Sequence, residues 1–147
     1  MTIRIVRARS RHAEAIAALI RETGIGDIRP ASVRPSRFWV ATDHGTVVGC
    51  ASIDWHGRDV AVLSSCAVKK PYRHRGIGTA FVNLRLAEAR KRRKRTAALC
   101  TMYYSFRHYK KLGFRTVPRA QLPDTVRDYE QFTVKRYMKC AVMTMAL

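Results

Sequence analysis

Acidic residues are scarce in this chain: 10 Asp plus Glu stand against 29 Lys plus Arg, a formal net charge of +19 over 147 residues. A field of that sign repels polycations and favours anionic partners, either nucleic acid or a small ligand rich in phosphates or carboxylates. Long apolar runs are missing as well. None approaches the roughly 18 residues needed to span a bilayer. Met1 to Arg9 alternates Ile and Val with Arg, where a signal peptide would be continuously apolar. A cytoplasmic protein with no membrane partner is expected. Cysteine is sparse, at Cys50, Cys66, Cys100 and Cys140, with no Cys-x-x-Cys pair and no histidine at ligand spacing. No metal site is expected, and the thiols read as small buried hydrophobes in a reducing compartment.

What is present suits one globular domain over residues 1–147. The hydrophobic fraction is 47% and the charged fraction 27%, the balance of a chain able to bury a core. Ile3 to Ala8 predicts a strand. Ser10 stands where an N-cap should, ahead of Ala13, Ile16, Ala17 and Ile20 at helical spacing, with Gly24 as the stop. Phe38–Ala41 and Thr46–Ile53 read as strands around a turn at Asp43-His44-Gly45, and Val60–Val68 as a third. Ile77, Ala80, Phe81, Leu84 and Ala87 then follow helical spacing. Ala97–Met102, a short helix over Tyr104–Leu112, Phe114–Val117 and a closing strand over Tyr137–Leu147 complete the order. Pro118–Arg127 reads as irregular. The five histidines, at 12, 44, 56, 74 and 108, are expected at the surface. The class is α/β, with a mixed, mostly antiparallel central sheet flanked by helices.

The segment after Val68 carries the chemistry. A strand runs out, four cations follow (Lys69, Lys70, Arg73 and Arg75), and Gly76 and Gly78 open a helix. A helix mouth presents unsatisfied N–H groups and a positive dipole end, and glycine lets backbone approach a phosphate closely. The pattern is neither a Walker loop nor Gly-x-Gly-x-x-Gly. Val68-Lys-Lys-Pro-Tyr-Arg-His-Arg-Gly-Ile-Gly-Thr-Ala80 resembles the acyl-CoA-binding motif of the GCN5-related N-acetyltransferases. His108-Tyr109-Lys110-Lys111-Leu112-Gly113-Phe114 resembles that family's later segment, and the element order agrees over nearly the whole chain.

The resemblance implies acetyl-CoA as co-substrate and direct acetyl transfer to a primary amine. It places the pantetheine arm and acetyl carbonyl on the backbone of Cys66, Ala67 and Val68. The pyrophosphate cradle falls on Arg73, His74, Arg75, Gly76, Ile77 and Gly78, with Thr79 close by. The acid that protonates the departing thiolate falls on Tyr109, with Tyr103 and Tyr104 as alternatives within one turn. A fourth-strand glutamate, the family's frequent base, has no counterpart in Ala61–Ser65. Asp54 and Asp59 read as turn residues instead. Cys66 has no histidine placed to activate it, and direct transfer needs no acyl-enzyme.

The positive field points to an anionic acceptor. The C-terminal part is similar to amino-acid acetyltransferases of the N-acetylglutamate synthase type, which implies a glutamate-like substrate held by Lys135 or Arg136. Acetylation of a protein or peptide N-terminus is the alternative within the family. A different class is suggested by Arg90 to Arg95, six consecutive cations: an RNA- or ribosome-associated basic protein with a non-catalytic CoA-type fold. The run lacks interleaved aromatics for base stacking. At most a weak nucleic-acid contact is expected there, beside a homodimeric state.

Overall fold

Alternation of Ile3 and Ile5 with Arg4 builds the first strand, β1 (Ile3–Arg7), in the computed structural model, which describes residues 2–102, 105–127, 132 and 140–147. β1 lies antiparallel to β2 (Phe38–Asp43), with Ile3 opposite Asp43 and Arg7 opposite Trp39. The chain reverses at His44 and Gly45, whose φ angles of 47° and 83° are both left-handed. Two such residues in succession are what a type I′ hairpin needs. β3 (Thr46–His56) therefore pairs back on β2 from Thr46 opposite Asp43. With β4 (Val60–Val68), β5 (Thr96–Thr101), β6 (Arg115–Val117) and β7 (Ala141–Ala146), the sheet order is β1-β2-β3-β4-β5-β7-β6. β4 and β5 are parallel, pairing Val60–Val62 with Thr96–Ala98, while β5 with β7 and β6 with β7 are antiparallel. The helices are α1 (Ala13–Glu22), α2 (Ile77–Lys91), α3 (Phe106–Lys111) and α4 (Asp124–Arg127). The α/β class with a mixed, mostly antiparallel sheet is the one the sequence predicts.

The backbone groups into two compact units, one of Met1–Ile53 with Leu63–Arg85, the other of Asp54–Val62 with Leu86–Leu147. In the first, Ile16, Leu19 and Ile20 of α1 pack with Phe38, Val40, Val47 and Ala67. Burial of side chains this size stabilises the fold by about 1.5–3 kcal/mol each. In the second, Val60, Val62, Ala98 and Val142 of the strands pack with Leu122, Val126 and Phe132. Val126 comes from α4, so part of the segment predicted as irregular is a helical turn that supplies core.

Three further expectations need correction. Ser10 does not cap α1; it opens a single 3-10 turn over Ser10–His12, and His12 stands before Ala13. The reason is local: the Arg9 N–H donates to His12 Nδ1 at 2.9 Å, folding the imidazole back over the turn. His12 is accordingly buried, at 8% exposure, and not at the surface. Asp54, expected in a turn, lies within β3 and is half-buried.

The apolar face of α2 is also rotated from the predicted one. Ile77, Phe81, Val82, Leu86 and Ala89 are buried, Leu84 is exposed, and Arg85 occupies the core position beside it at 1% exposure. Periodicity assigns a cation to the outer face by default, and here packing and backbone acceptors override that default.

His12 gives the fold a pH dependence. Burial first, and then the charges of Arg11 and Arg9, hold its pKa below the ordinary 6.5. The neutral ring is the native one, since protonated Nδ1 cannot accept from Arg9. Stability is complete above about pH 6.5 and declines as pH falls from there toward the lowered native value. His12→Asn keeps an acceptor that does not titrate. Thermal melts between about pH 7 and 5 should show a smaller loss of Tm for this variant than for wild type; equal slopes would assign the dependence elsewhere.

Candidate active site

β4 delivers the chain to the site. Ser65, inside that strand, sits at a left-handed φ of 48°, which breaks the regular pleat two residues before Ala67. The Ser65 carbonyl accepts from Cys50 Sγ at 3.6 Å. Burial, with the neighbouring Cys66 thiol adding, pushes the Cys50 thiol up to about 12, so it stays a protonated donor. Beyond Val68, the Lys69 N–H donates to the Val48 carbonyl at 2.9 Å and a 3-10 turn follows over Lys70–Tyr72, with Pro71 inside it. The Tyr72 hydroxyl donates to Asp43 Oδ2 at 2.7 Å. That bond holds Asp43 below its usual carboxylate range and Tyr72 above its ordinary value. The hairpin at His44-Gly45 thus anchors the approach to the site, a link that periodicity and motif spacing gave no sign of.

Next comes the mouth of α2. His74 and Gly76 are left-handed, at φ 61° and 84°, and the Gly76 carbonyl accepts the first helical bond from the Ala80 N–H at 3.0 Å. Helix geometry leaves the N–H groups of Ile77, Gly78 and Thr79 without carbonyls inside the helix. Ile77 is buried and fixes the start of the helix to the core. A Cβ built at Gly76 or at Gly78 would meet no atom within 4 Å. Two basic side chains lean on the same loop. Arg73 Nε donates to the Val68 carbonyl at 2.9 Å and Arg75 Nε to the Pro71 carbonyl at 3.3 Å, and both residues remain exposed. This is an open, cationic helix end into which a phosphate group fits: backbone donors, a positive dipole, two tethered guanidiniums and no side chain in the space above the glycines.

Tyr109 belongs to the second unit. It lies on α3, half-buried, with its ring edge-on to Phe114 at 5.8 Å and to His108 at 5.2 Å between centroids. Its carbonyl accepts from the Phe114 N–H at 3.0 Å, closing α3 through Gly113, whose φ is 105°. The Leu112-Gly113-Phe114 sequence is therefore the device that ends α3 and seats Phe114 against Tyr109. The alternatives Tyr103 and Tyr104, and the carboxylate-binding candidates Lys135 and Arg136, lie outside the described residues.

The basic run ends α2 and stays exposed apart from the half-buried Lys94, with three of its cations making local contacts. Arg93 is left-handed at φ 58°, and the Lys94 N–H donates back to the Ala89 carbonyl at 3.0 Å, terminating α2. Arg92 pairs with Glu88 at 3.1 Å and stacks on Trp55 at 4.5 Å. Lys94 Nζ donates to the carbonyls of Gly57 and Arg58 at 3.0 and 3.1 Å, and Arg95 reaches Asp59 at 3.8 Å. Among the described residues, no helix is long and apolar enough to cross a membrane.

Comparison with known proteins places the geometry. Rv2747 from Mycobacterium tuberculosis, solved in complex with CoA and NLQ, superposes with a TM-score of 0.84 at 21% identity, covering 98% of this chain and 99% of that one. N-acetylglutamate synthase from Neisseria gonorrhoeae, complexed with coenzyme A and N-acetyl-glutamate, superposes with a TM-score of 0.82 at 22% identity. There this chain is matched in full but spans only 35% of the synthase. Ard1 from Thermoplasma volcanium gives 0.78 at 19% identity, covering 100% and 99%. A family match runs over residues 7–114, from β1 through the mouth of α2 to Phe114, and by it the chain belongs to the acetyltransferase (GNAT) family.

Proposed function

We propose that the mouth of α2 holds the diphosphate of acetyl-CoA and that the enzyme passes the acetyl group directly to the amine of an acidic amino acid such as glutamate. Family membership makes the chain an acetyl-CoA-dependent N-acetyltransferase. The observation that carries the site is the open space over Gly76 and Gly78 beside Arg73 and Arg75. Backbone N–H groups of Ile77, Gly78 and Thr79 serve the phosphates, His74 shapes the turn, and the backbone of Cys66, Ala67 and Val68 aligns the pantetheine arm. Bound acetyl-CoA supplies the activated acetyl group. Tyr109, by family resemblance, gives a proton to the departing thiolate.

Charge supports this choice of acceptor. At +19 the protein attracts carboxylate-bearing amines and repels polyamines. The likeness to an N-acetylglutamate synthase supports glutamate in particular, with Lys135 or Arg136 taking its carboxylate. N-terminal acetylation of an acidic peptide is the second acceptor class that the same charge favours. The Arg90 to Arg95 run has no interleaved aromatic residues for base stacking, which speaks against it as a nucleic-acid platform.

Calorimetry with acetyl-CoA, followed by a free-thiol assay across amino acids and acidic peptides, tests the proposal. Micromolar binding of acetyl-CoA is expected, with thiol release fastest for glutamate or a close analogue. Release with acidic peptides alone would move the acceptor to a protein terminus. Absence of acetyl-CoA binding, with salt-sensitive RNA retention in its place, would overturn the enzymatic reading.

A further inference from the structure

Arg85 is the largest fully buried side chain among the described residues, and its partners are unusual. Nε donates to the Phe81 carbonyl at 3.1 Å, within α2. Nη1 donates to two strand carbonyls, Ser52 at 3.1 Å and Ser64 at 3.3 Å. Nη2 is buried with no hydrogen-bond partner among the described residues. The acceptors are all backbone carbonyls, whereas a buried guanidinium is ordinarily neutralised by a carboxylate. An apolar side chain of similar length would fill this position without placing a charge in the core. Leu84, adjacent and exposed, shows that the helix carries such a residue one step out of register.

What the cation does hold is the irregular point of β4. Ser64 and Ser65 share one peptide group. Its carbonyl is bound by Arg85, and Ser65 is the left-handed residue of the strand. The next carbonyl, that of Ser65, is bound by Cys50. Two successive peptides are thus pinned by their oxygens. A trans peptide directs its N–H opposite to its C=O, so pinning the Ser64 carbonyl also fixes the direction of the Ser65 N–H. A charged donor on that carbonyl polarises the amide and strengthens the N–H at its other end.

We propose that Arg85 is a positioning residue for acetyl transfer: it holds and polarises the Ser64–Ser65 peptide so that the Ser65 N–H serves as a strengthened donor to the acetyl oxygen. This rests on the acetyltransferase reading of the β4 end given above. Negative charge develops on that oxygen only as the amine attacks the acetyl carbon, and it passes to the sulfur as the carbonyl re-forms and the carbon–sulfur bond breaks. The contribution of Arg85 therefore belongs to turnover and not to cofactor affinity.

The test compares wild type with Arg85→Met and Arg85→Lys. Arg85→Met is expected to lower kcat about 10- to 100-fold, less than outright loss of an oxyanion donor. The KM and Kd for acetyl-CoA should stay within about twofold, while Tm should fall, because the Ser52 and Ser64 carbonyls lose their donor. Arg85→Lys restores the charge and should recover part of kcat. The Ser65 amide proton, followed by NMR without substrate, should move upfield in Arg85→Met more than that of any other β4 residue. Should Arg85→Met fail to fold, the same NMR comparison with Arg85→Lys decides, with a smaller upfield shift expected. An unchanged kcat, or an unchanged Ser65 resonance, would overturn the role of Arg85. Wild type that binds no acetyl-CoA would instead overturn the functional reading on which the role rests.

Discussion

Gly78→Glu is expected to abolish acetyl-CoA binding while leaving the protein folded, with an affinity loss of at least about 100-fold in calorimetry. Gly78 is helical and has no atom within 4 Å of its Cβ position, so the folded chain accepts a side chain there. A carboxylate in the first turn of a helix also meets the positive end of the dipole, which stabilises by about 0.3–1 kcal/mol. Tm should hold or rise. The same carboxylate occupies the space and neutralises the field that a diphosphate needs, and two repelling anions forfeit the whole charge-assisted contact. Stability and affinity are thus predicted to move in opposite directions, which generic damage to the fold cannot produce. Gly76→Glu would also empty the cradle, but φ at Gly76 is 84°, so a left-handed side chain adds a folding cost that blurs the readout. Retention of acetyl-CoA by Gly78→Glu would show that the ligand does not sit at the mouth of α2.

Tyr109→Phe should reduce turnover by roughly 100-fold, the usual scale for losing a general acid, with the Kd for acetyl-CoA nearly unchanged. The substitution removes one oxygen and keeps the ring that packs edge-on to Phe114, so α3 and its termination at Gly113 should persist. The effect should appear in kcat, measured by thiol release at saturating acetyl-CoA. An acceptor-independent loss would locate the defect in thiolate departure. Equal turnover of the variant and wild type would remove Tyr109 from the chemistry and leave it as the packing partner of Phe114.

Much of the fold is legible in the sequence because it rests on local rules. The turn at Asp43-His44-Gly45 needs two left-handed residues, and Asn, Asp, His and Gly are the types that accept them. The helix mouth at Gly76 and Gly78 is legible for the same reason: glycine there has a local conformational and steric meaning. Legibility ends where long-range packing outvotes local type. Arg85 reads as a surface cation, and only backbone carbonyls from residues 21 and 33 positions away make it a core residue. His12 reads as exposed, yet its ring is folded inward by the amide of Arg9. The basic run from Arg90 to Arg95 reads as a solvated helix end and is one for the most part, but the seat that Trp55 gives Arg92 and Lys94 has no local signal. In the candidate site, the glycine-opened helix mouth is legible and the left-handed backbone at Ser65 is not, because nothing in Leu-Ser-Ser-Cys marks a left-handed serine.

The chain has two tryptophans, and the fold gives one to each compact unit. Trp39 is buried beneath Arg7, whose guanidinium carbon lies 4.1 Å from the ring, and Trp55 is half-buried beneath Arg92. An indole in the core emits at shorter wavelength than one near water, so the two halves of the molecule carry distinguishable optical labels without any dye. Whether the units melt as one cooperative body or in sequence is thereby written into the intrinsic fluorescence of the protein itself.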